Sequence, residues 1–408
     1  MRRLIALPIA AVLALAGCAT TTIPAEVETV APTALWDSTA VHTIDLEFDE
    51  TDYATLIADY LNNYEKTWMS ATVTIDGTVI ENVGLKLKGN STLKGVSADS
   101  DAASLPWILR FDKYVDGQSY EGESELIVRG NVSSSSLNEA VALELLGLAG
   151  LATEEAVSSR LSANGGASEL RLIIQSPTDE WYDQTLDGTT LYKAGAGGDY
   201  TYRGDELADY EDVFDIEAGE EDVTPLATFL EFINDSDDAT FAANLDQYLD
   251  VESFATYLAY QDMVDNYDDI DGPGNNSYLS YDAATGLMTI VNWDLNLTFG
   301  LRNAGYGGGQ GGAPQGGRPA GGGQRPGAGG NAMSTGNILS ERFLENADFA
   351  SLVDVATTDL TATLVTSGAA KDALDAWAAV LTAQAADLVP ATTIAEEAAA
   401  IEEFFTQG

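Results

Sequence analysis

Residues 265–282 read DNYDDIDGPGNNSYLSYD, and residues 292–300 read NWDLNLTFG. Between Asp265 and Asn276 the chain carries four carboxylates and three amides. The run then alternates through Ser277–Tyr281, turns at Ala284-Thr285-Gly286, and returns through Met288–Asn292, the pattern of a β-hairpin. Upstream, Val251–Val264 is apolar at helical spacing behind Asp250, a residue type that caps helix starts. The segment therefore closes a long helix and opens a hairpin with an acid, Asp294, at its far end. A calcium loop fails the test of spacing. Aligning Asp269, Asp271 and Gly272 with EF-hand positions 3, 5 and 6 puts Tyr267 at position 1 and Tyr278 at position 12, where neither can ligate as required.

Outward from this segment the text divides. Upstream of Lys193 it is strand-like. Ile44, Leu46 and Phe48 alternate with Thr43, Asp45 and Glu47; Val73 and Ile75 lead to an Asp76-Gly77 turn, and the chain returns through Val83, Leu85 and Leu87. Trp107–Phe111, Leu126–Val128, Val157–Leu161 and Glu169–Ile174 add strands, and Leu137–Leu148 has helical spacing behind four serines that offer N-caps. Downstream, Leu226–Ile233, Phe241–Leu249 and Val251–Val264 are helical, with Asp235 to Asp238 and Asp250 at the starts, and the chain from Ile338 onward is Ala-rich and helical. The expected fold class is α+β, in two lobes: a strand-rich N-lobe over 41–193 and a helix-rich C-lobe over 194–408, with the hairpin segment 265–300 in the second.

Composition removes several chemistries. The chain of 408 residues has 65 acidic and 18 basic side chains, one His and one Cys. His42 and Cys18 alone cannot build a His/Cys zinc site, and a single His near the start of the chain argues against a Ser-His-Asp or Cys-His hydrolase. A net charge of −47 argues against nucleic acid as a partner held through its phosphates. With 45% hydrophobic residues the chain can bury a core, so it is not an acidic disordered tail. At the N-terminus, Arg2 and Arg3 precede an apolar run, Leu4 to Leu15, that ends in Leu-Ala-Gly-Cys18, the pattern of a secretory signal over residues 1–17. That ending resembles the bacterial lipoprotein box. It implies lipidation at Cys18, a tether over 18–40, and a body held by its lipid anchor at the cell membrane, facing outside the cytoplasm. Residues 303–334 hold 14 glycines and three prolines, the composition of a flexible surface insertion. Arg302, Arg318 and Arg325 fall in a stretch, Leu295 to Ser340, that has no acidic residue.

Two constellations carry chemistry. An antiparallel hairpin brings Asn276 close to Asp294, with further acids just before it. Protein kinases use that layout: one Asp meets the acceptor hydroxyl, while an Asn and a later Asp hold magnesium on the phosphates. A solvated acidic turn has the same spacing. The second constellation is Gly84-Leu85-Lys86-Leu87-Lys88-Gly89-Asn90-Ser91-Thr92. With Leu85 and Leu87 inward, Lys86 and Lys88 share the opposite face, either as an anion site or as the lysines of a protected edge strand. The spacing is not that of a Walker A loop. Lys193, at the expected lobe junction, is a third phosphate-binding candidate.

Taken together, VGLKLKGNST (83–92), LRFDKYVDGQSYEG (109–122), LYK (191–193), DNYDDIDGPGNNSYLSYD (265–282) and NWDLNLTFG (292–300) resemble, in order and spacing, the spore-coat protein H (CotH) kinase family. The resemblance implies an atypical kinase-like fold that binds ATP with a divalent metal, Mg2+ or Mn2+ (Ca2+ being compatible), and phosphorylates secreted or surface proteins on Ser or Thr. It implies Asp268 as the catalytic-loop acid, Asn276 and Asp294 as metal ligands, Asn296 as a further ligand, and Lys86, Lys88 or Lys193 on the nucleotide phosphates. Two positions depart from the family pattern. Asn296 stands where a second acid is frequent, and Gln175 where a Glu is common, each removing charge from the expected site. The alternatives are a non-catalytic pseudokinase on the surface, binding cations, cell-wall polymer or a protein partner, and a polysaccharide hydrolase with paired carboxylates.

Overall fold

A computed structural model describes residues 34–186, 188–195, 199–270, 276–302 and 337–406. The signal segment, Cys18 and its tether up to residue 33, the stretch 271–275 including Asp271, and the glycine-rich 303–334 lie outside the described residues.

Alternation builds the first sheet. In β1 (Val41–Phe48) Ile44 and Leu46 are fully buried while Thr43, Asp45 and Glu47 face water. β2 (Trp68–Ile75) and β3 (Thr78–Leu87) form a hairpin whose turn residues Asp76 and Gly77 both have positive φ, as the tightest hairpin turns require. β4 (Trp107–Arg110), β5 (Glu125–Val128), β6 (Ala156–Ala163) and β7 (Glu169–Gln175) continue it. The order β1-β2-β3-β4-β5-β7-β6 closes on itself because β1 and β6 pair in parallel, with Ile44 opposite Leu161. The interior is filled by Val83, Leu85, Leu87, Trp107, Leu109, Leu126, Val157 and Ile173. Helix Glu50–Asn63, started by the Asp49 carboxylate on the amides of Thr51 and Asp52, adds Leu56, Ile57 and Tyr60 to that core.

Helix Leu137–Leu148 packs on the outside of this barrel. Its serines do not cap it in the expected way. Ser136 occupies the cap position at φ 55 without a side-chain bond, while Ser135 Oγ accepts from the Leu137 amide. The amides of Ser134 and Ser135 go to the Glu397 carboxylate, on the last helix, Ala391–Thr406. The Glu397 carboxylate thus holds the turn that leads into the helix, while the Ser135 hydroxyl takes the first helical amide.

A second antiparallel sheet, of order β11-β10-β8-β9, comprises β8 (Thr190–Ala194), β9 (Phe214–Gly219), β10 (Ser277–Asp282) and β11 (Leu287–Asn292). One face, with Leu191, Tyr278 and Val291, joins helix Leu137–Leu148 and the C-terminal helices Ala369–Gln384 and Ala391–Thr406 in one core. The other, with Tyr192, Leu279 and Ile290, packs on helices Thr224–Asp235, Val251–Met263 and Ile338–Glu345. Asp237 and Asp250 cap their helices, as expected.

The mixed α+β class holds. The strand-rich part is a closed seven-stranded barrel, and a kinase-like division into two lobes is not distinct: from Thr33 onward the contacts form one compact unit. The expected junction, Lys193, lies inside β8, opposite Tyr278 of β10. No helix among the described residues is long and apolar enough to cross a membrane.

Candidate functional site

Where β11 ends, Trp293 and Asp294 leave the sheet. Asp294 sits at φ 65, a left-handed conformation that Asp tolerates better than most residues, helped here by the Asn296 amide on its own side chain. Arg129 follows β5 directly and is 3% exposed. Its Nε donates to Glu139 Oε2 at 2.9 Å and an Nη to Glu139 Oε1 at 2.6 Å. The same Nη donates to Asp294 Oδ1. Glu139 lies in the first turn of helix Leu137–Leu148, so one guanidinium ties the barrel, that helix and the hairpin exit together. Burial alone would lower the Arg129 pKa, but the two carboxylates outweigh it and hold it above its ordinary value. Burial pushes Asp294 up; Arg129 and then Lys88 overcome it, and the carboxyl stays below its ordinary value. Glu139 feels the same two cations, but burial, with the charge of Asp294 added, keeps it raised.

Two further cations meet at Trp293. The Lys88 ammonium lies 4.6 Å from the Trp293 ring centre, and that of Lys193 lies 5.1 Å from it and 5.5 Å from the Tyr278 ring. Lys193 also binds Glu217 at 3.0 Å. Burial, followed by the charge of Arg129, pulls Lys88 down to about 7. Glu154, 3% exposed, feels Arg129, Glu139 and Lys88, and burial lifts it to about 7.

Asp268 and Asn276 complete the group. Asn276 Nδ2 donates to Asp268 Oδ2 at 3.1 Å. Burial and then the charge of Asp294 raise the Asp268 pKa above its ordinary value, against the Asn276 bond. The hairpin thus brings Asp268, Asn276 and Asp294 together as its spacing suggests. Asn296 is 8% exposed beside them, its carbonyl accepting from Asn138 Nδ2 at 2.7 Å. Asp268, Asn276 and Asp294 present oxygen donors only, which suits a hard divalent cation completing its shell with water. Asp294 keeps 23% of its side-chain surface, so the carboxylate remains reachable. Among the described residues no three His, Cys, Asp or Glu side chains form a ready-made metal cluster. The set has two acids and amides rather than three acids.

Two expected residues lie elsewhere. Lys86 shares its strand face with Lys88, but its ammonium rests 4.7 Å from the Trp68 ring. Lys88 reaches the cluster because it stands beyond the end of β3. Gln175, 7% exposed, donates to Glu123 at 2.8 Å and, with Trp36, Glu121 and Glu155, lines a cavity of about 750 Å³. Its partners are those of that cavity, not Arg129 or Asp294. Sequence reasoning missed Arg129, Glu139, Glu154 and Asn138. Rarity was the available signal: Arg129 is one of few cations and directly ends an apolar strand.

The sequence model of the family described as CotH kinase protein matches residues 85–400, which include every residue of this cluster. No curated protein matches the chain.

Proposed function

Because the chain belongs to the CotH kinase protein family, we propose that it is an ATP-dependent kinase acting on Ser or Thr of secreted or surface proteins, anchored outside the cytoplasm through Cys18. The observation that carries this reading is the convergence of Asp268, Asn276 and Asp294 beside Lys88, Lys193 and Arg129. Acids that hold a cation stand next to cations that hold phosphate, which is what transfer by positioning and charge neutralisation needs.

Asp294 and Asn276 would hold Mg2+ or Mn2+, with the Asn296 amide as a weaker further donor. Bound there, the metal supplies charge neutralisation on the phosphates. Lys88 and Lys193 bind phosphate oxygens, and the Trp293 ring, its centre 4.6 Å from one ammonium and 5.1 Å from the other, holds them next to Asp294. Asp268 accepts the proton of the acceptor hydroxyl. Its raised pKa makes it a stronger base than an ordinary Asp, and Asn276 fixes its carboxyl. Arg129 and Glu139 orient Asp294, the second doing so through the first.

Transfer of labelled γ-phosphate to a Ser/Thr protein mixture tests this. Asp268→Asn should lower transfer by roughly 10²–10⁴-fold and leave ATP binding intact. Transfer at the wild-type rate would remove Asp268 from its role. Recovery of a Cys18→Ser variant in the soluble fraction, with wild type in the membrane fraction, tests the anchor.

One observation favours a second reading. Arg129 already neutralises Asp294 without a metal, and Asn296 supplies no charge. A non-catalytic member would keep this bridge as a purely structural element and bind its partner without nucleotide. Thermal stability that is indifferent to ATP and Mg2+ would select it.

A further inference from the structure

Lys86 and Lys113 converge on Trp68 from separate segments, and Lys66, two residues before Trp68, lies close enough to feel the Lys86 charge. Lys86 Nζ lies 4.7 Å and Lys113 Nζ 5.0 Å from the Trp68 ring centre. Lys113 reaches there by lying across Gly84, where any Cβ would meet Lys113 Cβ at 2.6 Å. Lys66 donates to Asn90 at 3.0 Å, in the turn that follows Lys88. None of the three ammoniums makes an ion pair among the described residues, in a chain with 65 acids. The neighbouring cation, Arg110, is already taken by Asp112 and Glu125. Lys86 also repels Lys66: burial, then the charge of Lys86, holds the Lys66 ammonium below its ordinary pKa. An anion placed among them relieves that repulsion, and nothing within the described chain does so.

The patch is a strip. Strand alternation sets Gly84, Lys86 and Lys88 in succession along the outer wall, roughly 7 Å apart. Lys88 then reaches Trp293 and the Asp294 cluster. An extended polypeptide presents every second side chain at the same interval. Trp68 lies under two ammoniums, so its ring is not free to enter a lipid layer. The overall charge of −47 does not forbid an acidic ligand here. Beyond a Debye length of about 10 Å at 0.1 M salt the remote acids are screened, and the local lysines set the field.

We propose that the Lys66–Lys86–Lys113 strip docks an extended acidic segment of the acceptor protein and feeds its hydroxyl residue toward Asp268. This rests on the phosphotransfer reading for its direction but not for its binding event.

The test is fluorescence anisotropy with the full protein, a labelled glutamate-rich peptide containing one serine, and its glutamine counterpart. The triple variant Lys66→Gln/Lys86→Gln/Lys113→Gln keeps the side-chain stems and removes the charges. Wild type should bind the glutamate peptide in a salt-sensitive manner and ignore the glutamine one. The variant should bind about tenfold more weakly, while metal–ATP titration gives the same affinity for both proteins. Equal peptide binding by wild type and variant overturns the proposal. So does equal binding of the two peptides, or charge-dependent binding of phosphatidylglycerol vesicles with none of the peptide. Failure of wild type to bind ATP counts against the phosphotransfer reading alone, since the peptide titration contains no nucleotide.

Discussion

Arg129 donates to Asp294 across 165 positions of sequence, and the same guanidinium holds Glu139. A residue at a strand end thereby fixes the acid at a hairpin exit, inside a region with little water to screen either charge. Removing one member of such a buried group costs more than the pair contributes, because the remaining charges stay buried.

Arg129→Met should therefore destabilise the protein by about 3–5 kcal/mol, read as a lowered denaturation midpoint. Pairing it with Glu139→Gln should recover part of the loss by removing one of the two orphaned acids. Additive losses in the double variant would mean that the two residues do not act as a unit.

Glu154 makes stability depend on pH. Burial lifts its pKa in the folded chain to about 7, against 4.5 for an ordinary Glu, so the native state binds the extra proton between those values. Its stabilising contribution is complete below the lower value and is lost as pH rises through the upper one. Between pH 4.5 and 7, wild-type stability relative to Glu154→Gln should fall by up to about 1.4 kcal/mol per pH unit. Chemical denaturation at several pH values gives the difference; a flat one means Glu154 is ionised in the fold.

The hairpin β10–β11, the alternation in β1, the Asp caps and the approach of Asn276 to the acids were legible because each is set within about twenty residues by turn chemistry and period. Barrel closure was not. It depends on β1 meeting β6 in parallel, a pairing between segments more than a hundred positions apart that leaves no local mark. Arg129 and Glu139 were hidden for the same reason: each sits in an apolar run that reads as strand or helix, and only the tertiary fold brings them together. Lys86 was misplaced because alternation gives the face of a side chain, not how far along that face its tip turns. Gln175 belongs to the Glu123 cavity because β7 runs to the other end of its sheet neighbours from Arg129, which pairs back to Leu172.

Asn138→Ala should loosen the acid loop. It removes the donor to the Asn296 carbonyl and leaves that buried group unsatisfied, at about 1–3 kcal/mol. Asn138→Asp keeps the size but lacks the donor, and should behave like Ala; a variant as stable as wild type would show that the bond is dispensable.

Gly84→Ala should cost about 1–3 kcal/mol, because the new methyl group overlaps Lys113 Cβ and approaches Trp68. Lys113→Gly removes both the Cβ and the Cγ that the new methyl group meets, and should restore part of the loss when combined with it. Thermal melts of the three variants decide this.

The central claim, that the Asp268–Asn276–Asp294 cluster is a metal–nucleotide site, is tested most directly by calorimetric titration of ATP into the purified protein with Mg2+ or Mn2+, alongside Asp294→Ala. The account predicts saturable binding that requires the metal and disappears in the variant, whose fold is checked by circular dichroism. No binding with either metal, or equal binding by a folded Asp294→Ala protein, would contradict it.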